Sequence, residues 1–176
     1  QYYSGVADED LATRNVDDLY GAALAHWRFA GRRDVGESAL RLYNPQVEEH
    51  GWQSTHTVIE LVVDDMPFLV DSVRMAVSRF GSTIHTIIHP VLSLQRAADG
   101  SLIDVVARGE VRNAVLQEAI MLFEIDRQSD ADSLATLEED LRRTIDEVRA
   151  AVEDWAPMRE RLAIIIDDLK RNPPPI

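Results

Sequence analysis

The order of apolar patterns between Thr57 and Leu94 leaves this chain few folds to choose from. A β-type run, Val58 to Val63, meets the acidic turn Asp64-Asp65-Met66-Pro67-Phe68; Leu69, Val73, Ala76, Val77 and Phe80 then recur at helical spacing, and a second apolar run follows Gly81. Strand, helix and strand in that order are half of a small α+β sandwich. The turn from first strand to helix is where such domains usually meet ligands. Asp65 is placed to cap the helix, Pro67 suits its first turn, and Gly81 stands where a left-handed C-terminal cap is wanted.

The run after Gly81 alternates, with Ile84, Thr86, Ile88, Leu92 and Leu94 on one parity, so it reads as a strand. Pro90 cannot donate to a ladder and predicts an edge strand or a bulge. Ala98-Asp99-Gly100 supplies a turn, and Ser101 to Ala107 can return as the second arm of a hairpin. Val115 to Asp126 reads as the last strand, although Leu116 to Met121 suits a helix equally well.

Outside this block, Leu11, Val16, Leu19, Tyr20, Ala23, Leu24, Trp27 and Phe29 predict an N-terminal helix ended by Gly31, with a short strand at Ala39 to Tyr43. Leu134, Leu137, Leu141, Ile145, Val148, Val152 and Trp155 mark an amphipathic helix of roughly 24 residues, about 36 Å long. The stripe resumes at Met158, Leu162, Ile165 and Leu169, so Pro157 predicts a break near Ala156 and a second helix. A helix longer than the sheet it covers is expected to contact another domain or chain. A sandwich of two such halves needs a fourth strand, which either Ala39 to Tyr43 supplies from upstream, permuting the sheet, or sequence beyond Ile176 provides.

The expected fold is therefore α+β: a ferredoxin-like antiparallel sheet with helices packed on one face, plus an N-terminal helix and long C-terminal helices. The expected division is 1–53 as helix and short strand packing on the core, 54–155 as the α+β domain, and 156–176 as a C-terminal helix and linker start.

Charge and composition exclude several functions. The net charge of −13 is spread along the chain with no basic patch, which disfavours nucleic acid and anionic membrane as partners. Cysteine is absent, so thiolate chemistry is excluded and a cytoplasmic location is expected. No apolar run approaches the roughly 20 residues that span a bilayer. Gln1 at one end and Asn172-Pro173-Pro174-Pro175 near the other read as a piece of a longer protein.

Gly51-Trp52-Gln53-Ser54-Thr55-His56-Thr57, Asp65 to Arg74 and Ile84-His85-Thr86 resemble the amino-terminal region of the large bacterial NAD-specific glutamate dehydrogenases. The likeness extends from Asp17-Asp18-Leu19-Tyr20 through Glu124 to Gln128 and on to Trp155-Ala156-Pro157-Met158. It implies a parent enzyme that deaminates L-glutamate to 2-oxoglutarate with NAD, whose N-terminal part carries ACT-like regulatory modules and whose catalytic domain lies far downstream. It also implies the downstream domains of the same chain as partners, a homo-oligomer, and an amino-acid effector as a further candidate partner. No G-x-G-x-x-G turn occurs and Lys170 is the only lysine, so no catalytic residue and no cofactor is expected in this chain, with NAD held elsewhere in the parent.

If an effector binds, the candidate residues are Asp64, Asp65, Met66, Phe68, Asp71 and Ser72 at the acidic turn. Helix capping competes with ligand binding for the aspartates. Phe68 stands where ACT modules commonly have glycine, and its ring is expected to fill the space a ligand would need. His56, His85, His89 and Glu60 offer nitrogen and carboxylate ligands for a metal, but their spacing is that of an ordinary polar strand face, so no metal site is expected. Trp27, Trp52 and Trp155 are expected to anchor the flanking helices.

Overall fold

The computed structural model describes residues 2–107, 110 and 114–171, leaving the Pro173–Pro175 tract outside the described residues. Among the described residues five helices and six strands follow one another along the chain. They are α1 Asp8–Ala12, α2 Val16–Phe29, β1 Ala39–Tyr43, α3 Val47–His50, β2 Thr57–Asp64, α4 Leu69–Arg79, β3 Ile84–Ile88, β4 Val91–Arg96, β5 Leu102–Val105, β6 Val115–Ile125 and α5 Ala131–Arg171.

All strands join one antiparallel sheet in the order β1-β2-β6-β4-β5, with β3 also paired to β6. β6 is long enough to be shared: its first half pairs with β4 and its second half with β3. The alternating run after Gly81 is thus two strands interrupted at His89-Pro90, with a bulge between Ile84 and Thr86. β1 lies against β2 in the register Ala39↔Val62 to Tyr43↔Val58. The fourth strand of the sandwich does come from upstream, and the sheet is permuted. Val115–Ile125 is strand throughout, because its second half is buried on both faces at the centre of the sheet.

One sheet face carries Ile59, Leu61, Val63, Met121, Phe123 and Ile125, covered by Leu69, Val73, Ala76 and Val77 of α4 and Leu137, Leu141 and Ile145 of α5. This is the two-helix layer expected of the ferredoxin-like arrangement. The opposite face is closed as well: Val58, Val62, Ile120 and Leu122 meet α2, Trp52 and the N-terminal tyrosines. Gly21 of α2 lies so close to Trp52 that a Cβ there would stand 2.4 Å from the indole's Cβ.

Several local expectations change. The N-terminal helix begins at Val16, capped by Asn15, whose side chain accepts from the Asp17 amide at 2.8 Å; Leu11 belongs to the separate α1. Asp65 does not cap α4. The N-cap is Phe68, in the left-handed region at φ 70°, with no side-chain hydrogen bond, and its carbonyl accepts from the Ser72 amide at 2.9 Å. Gly81, at φ 87°, closes α4 as its lack of a Cβ allows.

α5 runs unbroken for 41 residues with Pro157 inside it, where a break was expected. Proline deletes one amide donor, and the turns on either side still hold the helix. Trp155 is 60% exposed and Trp27 44%, so of the three tryptophans only Trp52, at 3%, is a packing anchor.

Candidate functional site

The sheet face beneath α2 carries three carboxylates among apolar side chains: Glu60, Glu118 and Glu124, exposed by 0%, 0% and 3%. Each is matched by arginine. Glu118 accepts from Arg96 Nε at 2.6 Å, Arg96 Nη2 at 2.7 Å and Arg33 Nε at 3.2 Å, while Arg33 Nη2 reaches Asp64 at 2.6 Å. Glu60 accepts from Arg41 at 2.6 Å and Tyr43 at 2.9 Å, and Glu124 from Arg14 at 2.5 Å. At Glu118 the planar fork of Arg96 meets both carboxylate oxygens.

The electrostatics differ between these sites. Burial pushes the Glu118 and Glu124 carboxyls up, but their arginines outweigh it and hold both below the ordinary value. At Glu60 burial wins over Arg41 and Tyr43, and the carboxyl is raised. Burial, aided by Arg41, drives His26 down to about 3, so this fully buried ring is neutral and shares a 2.7 Å hydrogen bond with the Tyr2 hydroxyl. The buried polar groups of this face are structural: Arg14, Arg33 and Arg41 fasten the N-terminal segment to the sheet.

The candidate residues of the acidic turn are each engaged or exposed separately, and none of them lines either described cavity. Asp64 is occupied by Arg33, and the Asp65 amide donates to the Gln117 carbonyl at 2.8 Å. Met66 packs against the α4–α5 core, Asp65 and Asp71 are exposed, and Ser72 is half-buried in the first turn of α4. Phe68 corrects the expectation most directly: its side chain fills no space, being 72% exposed. A left-handed backbone at an N-cap is what a glycine would adopt freely, and an L-residue held there is strained by about 1–2 kcal/mol.

A cavity of about 640 Å³ opens instead at the other end of the central strands, about 25 Å away along β2. Its apolar floor is Leu19, Ala22, Trp52, Ile88 and Leu122. Arg14, Arg127, Asp18, Glu48 and His56 line it with both signs of charge, and Glu124 lies beside Arg14. None of the six turn residues borders it. Arg127 Nη1 donates to the Ser54 carbonyl at 3.1 Å and the Gln53 amide to Asp18 at 3.0 Å, which ties the 45–56 connection down over the sheet end. The one clue in the sequence was Glu124, a carboxylate after the apolar run Ala119 to Phe123.

The candidate metal cluster does not assemble. His56 and His85 have ring centroids 4.3 Å apart and His85 Nε2 lies 2.7 Å from Asp126, but Glu60 is held by Arg41 and Tyr43. Among the described residues no three such groups converge as metal ligands. The Thr83 amide, then His85, hold the Asp126 carboxyl down at about 2.

Comparison with known proteins adds an independent line. A family model described as the glutamate dehydrogenase ACT1 domain matches residues 1–141. The NAD-specific glutamate dehydrogenases of Pseudomonas aeruginosa and Halomonas elongata are each 42% identical, over 92% and 98% of this chain but only 10% and 11% of their own length. That of Mycobacterium tuberculosis is 24% identical over 84% of this chain and 9% of its own. The chain thus spans about a tenth of the length of the curated relatives it matches.

Proposed function

This chain belongs to the glutamate dehydrogenase ACT1 domain family, and we propose that it is a non-catalytic regulatory and assembly module of a large NAD-dependent glutamate dehydrogenase. The parent reaction is then L-glutamate, water and NAD giving 2-oxoglutarate, ammonium and NADH, with NAD bound in another part of the enzyme. Residues up to Val152 act as the folded body of the module, 153–171 connect it to its partners, and the setting is the cytoplasm.

One observation carries this reading. Both faces of the sheet are closed and its buried carboxylates are matched by arginines, whereas nearly half of α5 leaves the body with a bare apolar stripe. Such a surface suits protein contact rather than substrate chemistry. Among the described residues no helix is long and apolar enough to cross a membrane.

The test compares the isolated chain with the full-length enzyme. The isolated chain should give no glutamate-dependent NADH formation. Full-length enzyme with Leu162→Glu and Ile165→Glu should keep its chemistry and lose its normal assembly or its response to effectors. Steady turnover by the isolated chain would end the reading.

A second reading, amino-acid sensing, is favoured by the cavity near Arg14 rather than by the acidic turn. An apolar floor with both signs of charge around it suits a small zwitterion. Calorimetry across the common amino acids should then find a binder that Arg127→Ala weakens and Phe68→Ala leaves unchanged. Heat from every amino acid equally weak would dismiss it.

A further inference from the structure

Beyond Val152, every residue of α5 from 153 to 171 whose side chain is described is exposed. Trp155, Met158, Leu162, Ile165 and Leu169 are nevertheless 60%, 54%, 56%, 49% and 51% exposed, at spacings of three, four, three and four residues. That is the a/d repeat of a helix that packs on another helix. Pro157 falls at an outward position of the repeat and leaves the seam intact. A bare helix of this length is marginal in water without a partner.

Charge decides the partner and its direction. Residues 153–171 hold five acidic and four basic side chains, whereas the whole chain holds 31 and 18, so this segment is nearly neutral and the body carries the excess. We infer that the segment pairs with the same segment of a second copy of this chain, antiparallel and centred between Ala163 and Ile164. Parallel pairing would set two acidic bodies side by side. Antiparallel pairing separates the ends of the bodies by about 35 Å along the helix axis, several times the roughly 8 Å screening length at physiological salt.

The antiparallel register is also self-complementary. It seats Leu162 on Ile165 and Met158 on Leu169 of the second copy, and it places Arg161 beside Asp168 on the flank in both directions. Ile166, 43% exposed, meets the stem of Arg159 on the other flank. Covering the stripe on both copies buries on the order of 1,000 Å² in total, the lower bound of a specific interface, so the dimer is reversible.

The inference rests on the assembly reading above but fails separately, because an isolated chain that is inactive and monomeric would sink only this proposal. Sedimentation of the 176-residue chain should show a mass that doubles with rising concentration. Leu162→Glu with Ile165→Glu should abolish the doubling and leave the melting of the body unchanged. The chain has no cysteine, so single cysteines report direction cleanly. Met158→Cys mixed with Leu169→Cys should oxidise to the mixed disulfide dimer, in preference to either homodimer. A monomer at about 100 μM, homodimers of Met158→Cys dominating the mixture, or doubling that survives the double glutamate variant would each overturn the proposal.

Discussion

Replacing Glu118 by glutamine tests whether the buried ion cluster holds the N-terminal segment on the sheet. The carboxylate is 0% exposed and stands between Arg33 and Arg96, whose side chains are each 1% exposed. It accepts from Arg96 Nε and Nη2 at 2.6 and 2.7 Å, and from Arg33 Nη2 and Nε at 2.9 and 3.2 Å. Glutamine keeps the volume and one oxygen but turns an amide donor toward a guanidinium, so about two charged hydrogen bonds are lost at roughly 1.5–3 kcal/mol each. Asp64 still neutralises part of Arg33 and moderates the loss. The expected destabilisation is about 4 kcal/mol, the scale of a broken buried ion pair. With a urea slope near 2 kcal/mol per molar, the unfolding midpoint falls by about 2 M.

Circular dichroism during urea unfolding reads this directly, and pH supplies a second arm. The folded Glu118 carboxyl lies below its ordinary value of 4.5, so its contribution is present above that pH and is lost as pH falls toward the folded value. The gap between wild type and Glu118→Gln should therefore narrow as the solution is acidified. Replacing the whole cluster, as Arg33→Met, Glu118→Leu and Arg96→Met together, should recover much of the lost stability, because no buried charge is then left alone. A loss below about 1 kcal/mol for Glu118→Gln, against the 3–5 expected of a buried pair, would refute the reasoning.

Three further outcomes are expected. Gly21→Ala should destabilise by about 1–3 kcal/mol in thermal melts although alanine favours helix by about 1, since the new Cβ would stand 2.4 Å from Trp52 Cβ. Leu141→Ala, at a 0% exposed position, should cost about 3 kcal/mol, whereas Leu162→Ala, at 56% exposure, should cost under about 0.5 in dilute chain; equal effects would contradict the division of α5 into covered and bare parts. In an NMR titration Asp126 should ionise near 2, adding stability above its ordinary 3.8 that fades as pH falls toward 2, and His85→Ala should move the midpoint only part of the way back because the Thr83 amide remains.

The sequence by itself determined the elements whose signals are local. The periods of Val58–Val63 and Leu69–Phe80, and the left-handed glycine at 81, depend on side-chain direction and backbone sterics within a few residues, and they appear in place as β2 and α4. The permuted strand was partly legible: the pattern left Ala39–Tyr43 or sequence beyond Ile176 as the source of a missing strand, and Ala39–Tyr43 supplies it as β1. The family was legible from its motifs.

What tertiary structure decided was everything that depends on which distant groups meet. Asp65 has the right chemistry for a cap, yet Phe68 takes the position because the chain must leave β2 with Asp64 already tied to Arg33. Glu60 reads as part of a polar strand face, yet it, Glu118 and Glu124 are buried anchors because α2 closes over them and Arg14, Arg33, Arg41 and Arg96 meet them from distant parts of the chain. The cavity near Arg14 exists only where five separated parts of the chain converge, so no spacing in the sequence announces it. Pairing energy between remote charges and the shape left between packed elements are properties of the assembled fold, and a pattern of neighbours along the chain does not contain them.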